Sequence, residues 1–350
     1  MAIAHPLTTL DGEHVELVTL ESGALRVQLS ALGARLVTLY LPDRDGKVEN
    51  VILGSPSLDA YRASKTYFGA TIGRFANRIA NGHFELDGES FQLGRNAGRN
   101  NIHGGPIGFD KHVWEVVERD GSQVRFRIVS PDGDQGFPGE LTLEVTFTLA
   151  DGALRLDYDA TTTKPTVHNF TNHTYFDLDG GGSADVERTE LQIFADHYLP
   201  CTADSVPLGE LASVEGTPLD FRTTTPIGDR IRVATEQIIR MHGLDFNWVL
   251  PATTPGKLVT AARVRGPRSG RTIACETDQP GLQIYTGNNL DGGDRSHDGS
   301  RVYRQGDGFT LETQRFPNAP NAPNTPGFPS CVLRPGERFN ASTIFRFGVR

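Results

Sequence analysis

The residues of this chain best suited to chemistry start with the run His168-Asn169-Phe170-Thr171-Asn172-His173-Thr174-Tyr175-Phe176-Asp177-Leu178. A strand that only covered a core would alternate Val, Ile or Leu with exposed polar groups. This run instead gathers amides, imidazoles, hydroxyls and aromatic rings. Such groups donate and accept hydrogen bonds, which suits a polyhydroxylated ligand lying over aromatic faces. Four further segments mix polar groups with aromatic or glycine neighbours: Gly73-Arg74-Phe75-Ala76-Asn77-Arg78-Ile79, Asn100 to Lys111 around His103, His242 to Trp248 around Asp245, and Gln283 taken with Phe309-Thr310-Leu311-Glu312-Thr313-Gln314. Each alone has a plain reading, because arginines and asparagines often close loops and a lone histidine is usually a satisfied structural group. Together they supply imidazoles, carboxylates, guanidinium groups and several amides.

The elements that must carry these groups are strands. Gly (39 residues) and Pro (21) are frequent, and Asp-Gly pairs at 11–12, 45–46, 87–88, 120–121 and 151–152 each sit between short alternating runs. Asp-Gly suits the type I′ hairpin turn, whose two central residues need positive φ. Leu25 to Leu29, Val124 to Ile128 and Leu141 to Leu149 have period 2, and Leu154 to Tyr158 follows across Asp151-Gly152 as a hairpin partner. Such a series predicts an all-β fold, a large antiparallel β-sandwich with few short helices. Helical turns are expected only at Thr235 to Met241 and Ser57 to Arg62. No βαβ alternation, phosphate-binding glycine loop or fixed-period repeat is present. Phe316 to Pro329 reads as an ordered surface loop and Gly180-Gly181-Gly182 as a flexible turn, within a single domain over 1–350.

Composition narrows the partners. The formal net charge of −9 over 350 residues argues against nucleic acid, whose phosphates need a basic surface, and against anionic membranes; it is compatible with a neutral ligand. Cys201, Cys275 and Cys331 are odd in number and lack CxxC spacing, so neither a disulfide framework nor a zinc site is expected. No basic start with an apolar run opens the chain and no stretch reaches membrane-spanning length, so a cytoplasmic location is expected, with no glycan expected at the sequons at Asn169 and Asn172. Asp291 to Asp298 has a calcium-loop composition but lacks ordered ligand spacing and a closing Glu; a surface loop is the reading taken.

As a set, Gly73 to Ile79, Asn101-Ile102-His103-Gly104-Gly105 with Gly108-Phe109-Asp110-Lys111, Thr171 to Phe176, Gly243-Leu244-Asp245, Gln283 before Tyr285-Thr286-Gly287-Asn288, and Glu312-Thr313-Gln314 resemble the aldose 1-epimerases, or galactose mutarotases. The resemblance runs to Arg334-Pro335-Gly336-Glu337 and so covers nearly the whole chain; Ile102 stands where the family more often has Leu. It implies a β-sandwich of the galactose-mutarotase type that interconverts α and β anomers of free aldoses such as glucose and galactose. It further implies His173 as general acid and Glu312 as general base. Asn77, Arg78, His103, Tyr175, Asp245 and Gln283 fall on sugar-binding positions, while Arg74 does not.

The chemistry explains these groups. Opening a cyclic hemiacetal removes the proton on O1 and delivers one to the ring oxygen, after which the aldehyde turns about C1–C2 and recloses on its other face. A carboxylate and an imidazolium on either side of the C1–O5 bond can do this with no cofactor or metal, each contributing ~10²–10⁴-fold. His173 is then expected to hold its proton near neutrality with help from Asp245 or Glu312. Trp248, Tyr175 and Phe176 are the candidates for stacking on the sugar. Two other functions fit parts of the pattern: a non-catalytic carbohydrate-binding module, which would have lost the acid or the base, and a glycoside hydrolase using Asp245 and Glu312. A sugar-phosphate enzyme would present more clustered Arg and Lys. The expected partner is a free monosaccharide, for a monomer or homodimer.

Overall fold

The computed structural model describes residues 7–180, 186–251, 254–322 and 325–350. Three antiparallel sheets carry most of the chain. The largest has nine strands, in the order Glu115–Arg119, Gln123–Ser130, Leu141–Ala150, Ala153–Thr162, Phe339–Val349, Arg271–Thr277, Val259–Arg265, Glu190–Ile193 and Thr225–Pro226. A six-stranded sheet runs Tyr175–Phe176, Phe309–Gln314, Gly281–Tyr285, Asp245–Val249, His197–Leu199 and Ala212–Ser213. Four N-terminal strands between Leu17 and Asn50 form the third.

Alternation in the sequence decides which face of each strand is buried. In Leu141–Ala150 every second residue, from Leu141 to Leu149, is buried and the residues between are partly exposed. The six-stranded sheet turns Phe176, Phe309, Leu311, Ile284, Phe246 and Trp248 into the main core, which it shares with Phe126, Phe147 and Leu156 of the nine-stranded sheet. The hydroxyls of Thr313 and Thr343 meet across that interface. Burying such side chains contributes roughly 1.5–3 kcal/mol each, so apolar packing sets the sandwich.

Three of the five Asp-Gly pairs form the expected turn: Asp11-Gly12, Asp87-Gly88 and Asp151-Gly152 have both residues at positive φ. Their strands close on two-residue loops, as in Ala150 opposite Ala153. The other two pairs differ. At Asp45-Gly46 only the glycine has positive φ, and at Asp120-Gly121 neither does. There the Asp120 carboxylate accepts hydrogen bonds from the Ser122 and Gln123 backbone N–H groups, and a side-chain-capped loop replaces the tight hairpin. Helices at Leu58–Ala63, capped by Ser57, and Glu236–Met241 sit where expected. A third, Ile227–Ile231, directly after Pro226, gave too short a pattern to read in advance.

The strand Asp291–Arg295 pairs with Val302–Arg304, and the loop's carboxylates cap its own turns: Asp298 accepts from Ser296 and Ser300. Gly180 has positive φ, whereas Gly181 and Gly182 lie outside the described residues. The loop expected over 316–329 contains a short 3₁₀ turn at Ala319–Asn321, and residues 323–324 of it lie outside the described residues. No helix among the described residues is long and apolar enough to cross a membrane.

Candidate active site

The polar face of the six-stranded sheet is dictated by the same alternation that buries the other. In an antiparallel pair, directly opposed residues share a face. Glu312 is opposite Gln283, Thr310 is opposite Tyr285, Asp245 is opposite Tyr285 from the other side, and Tyr175 is opposite Thr310. Carboxylates, an amide and two phenols drawn from four strands therefore stand together above the sheet. The intervening residues, Phe309, Leu311, Leu282, Ile284 and Phe246, point into the core.

His173 arrives from the edge. Its N–H donates to Ala70 O (2.9 Å) and its carbonyl accepts from Gly69 N–H (3.0 Å), which locks it to the segment after Tyr67. The next element in, Arg78–Ile79, pairs with Asn101–Ile102, and His103 follows with φ +52°. The bend works because Gly104 adopts φ +88° with its Cα against the Gly73 carbonyl; a Cβ there would lie 2.0 Å from that oxygen. Asn169 ties two site-bearing segments together, donating to Ala76 O (2.9 Å) and accepting from Arg315 N–H (2.7 Å), while Arg315 donates to His168 Nε2 (3.2 Å). His168 and Asn169 thus support the site. Both sequon asparagines are buried with their amides engaged. Arg74, also buried, donates to the carbonyls of Ser130, Pro131, Pro138 and Gly139, a clamp beneath the site.

The result is a cleft of about 540 Å³ lined by Asn77, Arg78, His103, His173, Tyr175, Asp245 and Glu312, among others. Gln283 reaches it through Asp245, donating to Oδ1 at 2.7 Å, and Arg78 stands 3.6 Å from Asp245 Oδ2. His173 Nε2 and Glu312 Oε1 are 3.6 Å apart, longer than a hydrogen bond. Glu312 Oε1 accepts from the Thr310 hydroxyl at 2.8 Å, whereas Oε2 is buried without a protein partner among the described residues. His103 Nδ1 accepts the Asn77 N–H at 3.1 Å, so its neutral ring carries the proton on Nε2 and offers a donor.

Burial governs the electrostatics. It pushes His173 down to about 4 and Glu312 up to about 8, with the Asp245 charge adding to the rise and the Thr310 hydrogen bond and Arg78 opposing it. His103 is also held well below the usual imidazole range, by burial first and then by His173 and Arg78. The expectation that a neighbouring carboxylate would favour a protonated His173 meets an opposing force: burial disfavours the charged form of the imidazole and of the Glu312 carboxyl alike.

His103, His173 and Glu312 bring ligand atoms within 4.8 Å of one another, which on distance alone resembles a metal triad. The donor chemistry does not fit. One His103 nitrogen already accepts a backbone N–H, and freeing Nε2 for a metal would place Nδ1–H against that same N–H.

Two stacking candidates are corrected. Trp248 is fully buried in the core, its indole donating to Leu219 O at 3.1 Å, and Phe176 lies on the core face; both sit one residue out of register with the polar face. Tyr175 does line the cleft, joined by Tyr285 and Tyr67. Tyr285 and Thr310 were findable, each two residues from a site residue on the same strand. Tyr67 carried no signal, since its segment has no periodic pattern.

Fold and cleft together describe a class of protein: a β-sandwich that presents a buried cleft of hydrogen-bonding groups to a small polar ligand. Comparison with known proteins places it further. Residues 16–346 match the aldose 1-epimerase family. The chain is 42% identical to rat galactose mutarotase over 340 residues, 97% of this chain and 95% of the rat protein. It is 40% identical to Escherichia coli aldose 1-epimerase over 344 residues, 98% of each. The structure of an aldose epimerase homologue from C. elegans superposes with a TM-score of 0.87 at 28% identity, covering 96% of this chain and 99% of that one. The chain belongs to the aldose 1-epimerase family, and with it to the isomerases.

Proposed function

We propose that the chain interconverts the α and β anomers of free aldoses, with His173 as the acid toward the ring oxygen and Glu312 as the base toward O1. One observation carries this reading. O1 and O5 of a pyranose are both bonded to C1, so the groups serving them must be neighbours, and the His173 and Glu312 functional atoms lie 3.6 Å apart in a buried cleft. In ring opening, Glu312 Oε2 takes the O1 proton, the C1–O5 bond breaks, and His173 gives its proton to O5. After rotation about C1–C2, His173 recovers the O5 proton as O5 attacks C1, and Glu312 returns its own to the former carbonyl oxygen.

The supporting groups follow from their contacts. Arg78, Asp245 and Gln283 form one chain of polar contacts able to orient sugar hydroxyls. The His103 Nε2–H supplies a donor without a charge, Asn77 holds that imidazole, and Tyr175 walls the cleft behind His173, ring centroids 5.1 Å apart. Asp245 is engaged with Arg78 and Gln283, which favours the imidazole–carboxylate pair over the hydrolase reading of Asp245 with Glu312. Polarimetry on fresh α-D-glucose and α-D-galactose tests the proposal; an unchanged spontaneous rate for both and for aldopentoses refutes it.

A further inference from the structure

Tyr67 lines the cleft and takes no part in the proton transfers. It lies between the helix Leu58–Ala63 and the strand Thr71–Ile72, with φ +59°, a backbone conformation rare for a bulky side chain and often retained at working sites. Its ring centroid is 4.6 Å from that of His103, edge-on, and 5.7 Å from that of His173, while the two imidazoles are 5.1 Å apart and nearly perpendicular. The three rings form one packed cluster.

The cluster is pinned from both sides. Ala70 N–H donates to Tyr67 O, and Gly69 N–H and Ala70 O bond the His173 backbone, so the tyrosine and the histidine share a single turn. Outward, the Lys111 ammonium sits 5.9 Å over the Tyr67 ring, itself held by Asp110 at 3.1 Å and by Ser64 O at 2.5 Å.

We propose that Tyr67 is a positioning residue of the acid–base centre: its ring fixes the His103 and His173 imidazoles and shuts water away from the cleft side of His173. The inference rests on the reading of His173 as the acid. The other groups facing His173 are Glu312, His103, Tyr175 and Tyr285, and those facing Tyr67 are Asp110, Lys111, Arg78 and Asn96, whose side chain hydrogen-bonds the phenol. Since burial is what lowers His173, removing the ring lets water in and moves its titration back toward the ordinary imidazole value.

The test compares wild type, Tyr67→Phe and Tyr67→Ala by two readouts: the pH profile of kcat/KM for α-D-glucose mutarotation, and the NMR titration of labelled imidazoles in the full chain without sugar, with His173→Ala giving the assignment. Tyr67→Phe is expected to stay within about threefold of wild type, with the same acid limb. Tyr67→Ala is expected to lose kcat on the order of 10²-fold, as a misplaced catalytic group does, with a smaller change in KM. Its acid limb and its His173 midpoint should both rise by at least one pH unit from about 4. An unchanged His173 midpoint in folded Tyr67→Ala overturns the proposal, as does an equal loss in Tyr67→Phe. If wild type fails to accelerate mutarotation at all, the enzymatic reading falls, and the NMR midpoint still decides the role of the ring.

Discussion

At the scale of single residues, the chemistry turns on the proton shared between His173 and Glu312. Between about 4, where His173 gains its proton, and about 8, where Glu312 loses its own, the pair holds one proton. That is the count the reaction needs. The kcat/KM profile is therefore expected to be a bell with limbs near these values; below the lower limb both groups are protonated and no base remains, and above the upper limb no acid remains. Thr310→Val removes the donor that favours the Glu312 carboxylate, so the upper limb should rise by about one unit, the worth of a hydrogen bond to a charged group. The same shifts affect stability. Glu312 binds its proton more tightly folded than unfolded, so its contribution is favourable at low pH and is lost as pH rises from 4.5 toward 8. His173 has the opposite sense, losing stability as pH falls from 6.5 toward 4. Glu312→Gln, which cannot ionise, should gain on wild type by up to about 1.4 kcal/mol per pH unit above pH 4.5, read from urea midpoints at pH 5 and pH 8.

At the scale of elements, strands place Glu312, Gln283, Asp245 and Tyr175 on one face and a glycine-dependent bend brings His103 to the cleft. Gly104→Ala would put a Cβ 2.0 Å from the Gly73 carbonyl oxygen at φ +88°. A loss of about 2–4 kcal/mol is expected, measured by thermal unfolding, with activity lost through displacement of His103. Much of this organisation could be read in the residues beforehand. Phe309-Thr310-Leu311-Glu312 alternates cleanly, and the pairing of Gln283 with Glu312 follows once the two strands are neighbours. Hairpins across Asp151-Gly152 and Asp87-Gly88 were legible from turn chemistry. Trp248 was misplaced because an aromatic one position from Asn247 looks like part of the polar cluster until strand parity assigns it to the core. The strength of burial around His173 was not legible because it depends on which elements cover the ring, and Tyr67 and Tyr285 come from distant segments. Tyr67 escaped notice for the same reason.

At the scale of the whole molecule, one core cluster draws on residues from Leu7 to Phe345, including members of all three large sheets. We propose on this basis that 1–350 folds as a single domain, and calorimetry should show one cooperative transition with no separable N-terminal melt. The net charge of −9 does not steer a neutral sugar, so kcat/KM is expected to change less than about twofold between low and high salt. Polarimetry on fresh α-D-galactose and α-D-glucose with wild type, His173→Ala and Glu312→Gln at matched, folded concentrations decides whether His173 and Glu312 act as the acid and base of anomer exchange. Acceleration by wild type and a loss of ~10²–10⁴-fold in each variant is the predicted result. Full activity in either variant would contradict it.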